Sequence, residues 1–90
     1  MNAPEGWFKY GLPGSEGRDI SVAINRALWD YLDVQGISKT GVRVEAGCRC
    51  MILSVPEAFD AERARRLKAF VLERIPAHYE MYAWKGNTRY

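Results

Sequence analysis

Asp60-Ala-Glu-Arg-Ala-Arg-Arg-Leu-Lys-Ala-Phe-Val-Leu-Glu-Arg-Ile75, continued by Pro76-Ala-His-Tyr-Glu-Met-Tyr-Ala-Trp84, reads as a helix that stops at a proline and turns into a strand. Ala64, Leu67, Phe70, Val71 and Ile75 recur at spacings of three and four, the helical period. Glu62, Arg63, Arg65, Arg66, Lys68 and Arg74 take the other side. Asp60 is placed to cap the first turn with its carboxylate, and Pro76 disfavours helical geometry at Ile75. Beyond the proline the period changes to two: Ala77, Tyr79, Met81 and Ala83 are expected to face inward, and His78, Glu80, Tyr82 and Trp84 outward. The rest of the chain has to cover the apolar stripe of this helix.

Working outward, a second helical stripe runs from Asp19 through Ile20, Ala23, Ile24, Ala27, Leu28, Tyr31 and Leu32, and Gly36 is its expected stop. Trp29 flanks that stripe. It either widens the core or faces a neighbouring subunit, and the core is preferred because large aromatics are buried on average. Val42, Val44 and Ala46 alternate with Arg43 and Glu45 as in a half-buried strand, and Gly47 offers a reversal. Residues 48 to 55 are apolar at most positions, which suits a central strand with Met51, Leu53 and Val55 on one face and Cys48, Cys50 and Ile52 on the other. The order is helix, strand, strand, helix, strand. It predicts an α+β fold, a small two-layer sandwich in which both helices cover one face of a three-stranded sheet. Whether the last strand pairs with the first or elsewhere stays open.

The flanks read differently. Residues 1 to 18 hold Pro4, Gly6, Gly11, Pro13, Gly14 and Gly17, a density of breakers that predicts an irregular arm. Trp7, Phe8, Tyr10 and Leu12 lie within it. They either fold back as a lid or anchor a partner, and the second reading is preferred because aromatic side chains dominate interface energetics. Residues 19 to 84 form the α+β domain, and residues 85 to 90 read as a polar tail ending on Tyr90. Ninety residues make one domain whose core supplies roughly 3–5 kcal/mol, so association with a partner is a natural expectation.

Charge and chemistry narrow the function further. A net charge of +2, with acidic and basic residues interspersed, falls short of a dedicated nucleic-acid binder. The basic side of the second helix reads as a solvated face, with Glu62 set to pair with Arg66. No run of about 18 apolar residues suggests a membrane span, and nothing reads as a signal peptide, so synthesis inside the cell in soluble form is expected. Cys48 and Cys50, two apart on a strand, sit about 6–7 Å from each other, too far for a disulfide within the pair. Buried, reduced thiols are expected, with an interchain disulfide as the alternative. His78 is the one histidine, too few for a zinc site, and no Ser, Cys or Asp completes a nucleophile–base pair with it. Neither an enzyme nor a cofactor or metal protein is indicated.

From Cys50-Met-Ile-Leu-Ser-Val-Pro-Glu57 through the second helix to Ile75-Pro-Ala-His-Tyr79, the chain resembles the C-terminal part of phage tail protein I and its relatives in contractile injection systems. The resemblance covers roughly residues 42 to 84. It implies a non-enzymatic baseplate component, located in the virion after synthesis in the host cytoplasm. Its partners would be other tail or baseplate proteins in a multi-copy assembly, with no membrane or nucleic-acid partner expected. A second, local resemblance joins Trp7-Phe8, Tyr10-Gly-Leu-Pro-Gly-Ser15, Ile20, Ala23 and Asn25 to a small type I-F anti-CRISPR protein. It implies an inhibitor that binds an RNA-guided surveillance complex. In the preferred reading the partner-binding residues are Trp7, Phe8, Tyr10, Leu12, Tyr82, Trp84 and Tyr90.

Overall fold

The structure, a computed structural model, describes residues 12–90, with side chains from residue 16 onward. Helix α1 spans Leu12–Gln35 and so begins inside the stretch expected to be irregular up to residue 18. Pro13 explains the difference: it falls in the first turn, where a missing N–H breaks no helical hydrogen bond. Ile24, Leu28 and Leu32 are buried, and Ile20 and Tyr31 pack against them. Ala23, expected in the same stripe, is exposed. Gly36 ends the helix at φ +70°, a region open to glycine without penalty. The Ile37 N–H donates to Leu32 O at 2.9 Å and the Gly36 N–H to Asp33 O at 3.1 Å, which satisfies two terminal carbonyls.

Strand β1 (Arg43–Gly47) and strand β2 (Cys50–Val55) form an antiparallel hairpin. The reversal is made by Cys48 and Arg49, with Arg49 at φ 58°, one residue later than Gly47 suggested. Helix α2 (Ala61–Leu72) returns over the sheet, and strand β3 (Glu80–Lys85) lies parallel to β2, with Met51 beside Met81 and Leu53 beside Ala83. A fourth strand, β4 (Thr88–Arg89), pairs antiparallel with β3 in the stretch read as a tail. The sheet therefore has four strands, in the order β1-β2-β3-β4, where three were expected.

Each helix is fixed by chemistry legible in its own sequence. The Asp60 carboxylate accepts from the Arg63 N–H at 2.9 Å, the expected cap of α2. The other end unwinds at Glu73, before the proline, where the Arg74 guanidinium donates to Phe70 O at 2.9 Å and lies 3.5 Å from the Phe70 ring centre. Ala64, Leu67 and Val71 of α2 are buried together with the α1 stripe and with Val44, Met51, Leu53, Val55 and Ala83 of the sheet. Both helices thus share one face, as a two-layer α+β sandwich requires.

Helix α1 does not lie squarely on the sheet. It runs along the outer edge of β1, with Gly17 close to Ala46 at one end and Trp29 near Val42 at the other. The Asn25 amide accepts from the Val44 N–H at 2.7 Å and donates to Val44 O at 2.6 Å. These are the two bonds that a further strand would make. Trp29, expected in the core, is 39% exposed, because its indole N–H reaches over to donate to Val42 O at 2.9 Å. Packing against the strand edge competes with burial in the core, and the edge takes the tryptophan.

Candidate protein-binding face

The helices cover one side of the sheet, and the period of two sends every second side chain to the other. Strand register then lines these outer residues up in rows. Arg43 lies opposite Ser54, Ser54 beside Trp84, and Trp84 opposite Arg89. The next row is Glu45, Ile52 and Tyr82, and a third holds Cys50 and Glu80. At the centre are Trp84, 36% exposed, and the half-buried Ile52 and Tyr82. Among the described residues no helix or second sheet packs on them.

The periphery of this apolar centre is polar and balanced in sign. The Arg43 Nε lies 3.3 Å from a Glu45 carboxylate oxygen. The Arg89 guanidinium sits over the Tyr82 ring, 4.6 Å from its centre, and the Tyr82 hydroxyl donates to the Glu80 carboxylate. That hydrogen bond and the charge of Glu80 raise the Tyr82 pKa above its ordinary value, with the Arg89 charge opposing. Two arginines face two glutamates, so the surface has no net attraction for a polyanion. Aromatic rings and arginines inside a mixed-sign rim are the make-up of protein interfaces.

The expected binding residues divide into three groups. Tyr82 and Trp84 come together on this face. Tyr90 does not: it points to the helical side, where its hydroxyl donates to Ala64 O at 3.0 Å and its main-chain oxygen accepts from the Lys68 ammonium at 2.7 Å. Burial pushes its pKa up to about 12. Trp7, Phe8 and Tyr10 lie outside the described residues, as does the side chain of Leu12, although its backbone opens α1. Ile52, Arg43 and Arg89 join the face through register. Alternation set Arg43 apart from the inward Val42 and Val44, and put Ile52 on the second face of β2 with Cys48 and Cys50, but only the pairing of β4 brings Arg89 over Tyr82.

The cysteines need correction. Cys48 is exposed in the turn and Cys50 is half-buried on the open face, so neither is the buried thiol expected; both are free. Burial fails here because, among the described residues, no second layer covers the face assigned to them. His78 is exposed beside the Tyr79 ring, with 4.9 Å between ring centres, and none of the hydrogen bonds of the described residues involves it. Tyr79 itself is buried, and its pKa is raised by that burial and then by the charge and hydrogen bond of Glu16. Among the described residues no group of three or more His, Cys, Asp or Glu is gathered as metal ligands, and no helix is long and apolar enough to cross a membrane. What the fold defines is a small α+β sandwich, with one face of its sheet left without a second layer by the described residues. No family model, curated protein or solved structure matches the chain.

Proposed function

We propose that this chain is a structural component of a phage tail or baseplate and works by binding neighbouring protein subunits through the outer face of its sheet. The observation that carries the binding role is the uncovered cluster of Ile52, Tyr82 and Trp84, flanked by Arg43 and Arg89 and balanced by Glu45 and Glu80. Large aromatics in the middle of a face with a polar rim are where binding energy concentrates. The equality of charges favours a protein over a nucleic acid, whose phosphates call for a basic excess. The phage setting rests on the sequence resemblance over residues 42 to 84, which spans β1 to β3. In this reading Trp7, Phe8 and Tyr10 add a second set of anchors ahead of α1, and copies assemble with other tail proteins.

The test is assembly. Particles purified from a lysate should contain the chain in stoichiometric amount by mass spectrometry, and a Tyr82→Ala/Trp84→Ala double variant should fold yet be missing from them. A chain absent from particles that instead elutes with a purified type I-F surveillance complex would replace this reading with that of an inhibitor.

A further inference from the structure

A second surface lies on the opposite side of the β3–β4 hairpin. Where α2 passes the end of the sheet, a groove of about 330 Å³ opens, close to the lower end of ligand-site volumes. Its floor is apolar and shallow: Ala61 and Ala69 contribute methyl groups, and Leu72 is 48% exposed. The Tyr90 ring closes one wall, held by its hydroxyl bond to Ala64 O. Three cations line the same groove, Arg65 and Lys68 from α2 and Lys85 from β3, and among the described residues no Asp or Glu side chain does. Lys68 and Lys85 spend one donor each on main-chain oxygens, of Tyr90 and Glu57 respectively. Each ammonium carries three donors, so both keep capacity for an incoming anion.

We infer that this groove is a docking site for an acidic amphipathic segment of another protein, one that lays an apolar side chain over Leu72 between carboxylates. Charge complementarity carries the assignment: three separate cations suit several carboxylates spread along a peptide, whereas a fatty acid offers one. A nucleic acid would meet the charges but not the floor, whose methyl groups give bases no face on which to stack, and the one ring in the lining, Tyr90, is a wall tied to Ala64 O by its hydroxyl. The groove shares no residue with the outer sheet face, so this assignment stands or falls independently of the assembly role.

A fluorescein-labelled synthetic helix with one leucine, flanked one turn on either side by glutamates, is the probe. Its anisotropy should rise saturably on titration with the protein. Amide shifts should concentrate in residues 61–72 and 85–90. Leu72→Ser and the Arg65→Glu/Lys85→Glu double variant should each weaken binding by about tenfold or more, and a lysine-flanked peptide should bind the double variant better than the wild type. Trp84→Ala should leave the affinity unchanged. No saturation up to about 1 mM, shifts centred on the outer sheet face, or capture of dodecanoate or oligothymidylate in preference to the peptide would overturn the assignment.

Discussion

Replacing Asn25 with alanine removes both hydrogen bonds to Val44 and leaves a main-chain N–H and C=O of an edge strand against the side of a helix. Unsatisfied groups of this kind cost about 1–3 kcal/mol each when water is kept out. The edge is partly open, so Asn25→Ala should lower stability by about 1–3 kcal/mol in urea titration, while Asn25→Asp, which keeps only an acceptor, should fall at or beyond that loss. From sequence, Asn25 is one polar residue on the flank of an apolar stripe, and nothing in its spacing reveals that a strand edge lies beside it. Tyr90 shows the same limit in reverse: an aromatic at the end of a polar stretch reads as exposed, yet two hydrogen bonds draw it onto α2. Its pKa of about 12 makes that contact measurable. The hydroxyl keeps its proton longer in the folded chain than in the unfolded one, where it ionises near 10. Above about pH 10 the unfolded state therefore binds fewer protons, so the stabilisation is whole below about pH 10 and is lost as pH rises through about 12. Tyr79, also raised, adds in the same direction. Urea midpoints followed across this range should decline, and Tyr90→Phe should flatten part of the decline.

Among the elements, the two helices and the first three strands were legible because each has a clean period and a marked end: Asp60 caps α2, Gly36 closes α1, and the alternation of β2 puts Met51, Leu53 and Val55 inside. Strand β4 was not. Two residues are too short for any periodicity, and its signal was the Gly86-Asn87 pair after a strand, a known hairpin turn. Gly86 stands at φ +60°, and a Cβ added there would lie 2.7 Å from the Glu57 Cβ. Gly86→Ala should therefore be strained and clashing at once, at a cost of roughly 1–3 kcal/mol, with faster amide exchange at Tyr90 as the readout. The start of α1 is misplaced because Pro13, Gly14 and Gly17 look like breakers, although the first turn tolerates Pro13 and the missing side chain of Gly17 lets the second turn pass close to Ala46. This sets where an arm can be removed. If residues 1 to 11 anchor a partner rather than fold back as a lid, deleting them should leave the helical circular dichroism and urea midpoint unchanged, whereas deletion through residue 17 removes the first turns of α1 together with the Glu16 partner of Tyr79.

For the whole molecule, one core carries everything. Leu28 and Leu67, both essentially inaccessible, join α1 and α2 to the sheet. Truncating either to alanine should cost about 2–5 kcal/mol, comparable with the roughly 3–5 kcal/mol that so small a core supplies. Leu28→Ala is therefore expected to be largely unfolded by near-ultraviolet circular dichroism. Tyr82→Ala/Trp84→Ala should keep a cooperative transition close to that of the wild type, because these side chains lie outside that core. The parity of β3 and β4 has a consequence for valency. Trp84 and Arg89 point to one side of the hairpin while Lys85 and Tyr90 point to the other, so a two-residue strand stands between two surfaces. One copy can therefore offer the two proposed surfaces to two neighbours at once, one on each side of the same short hairpin.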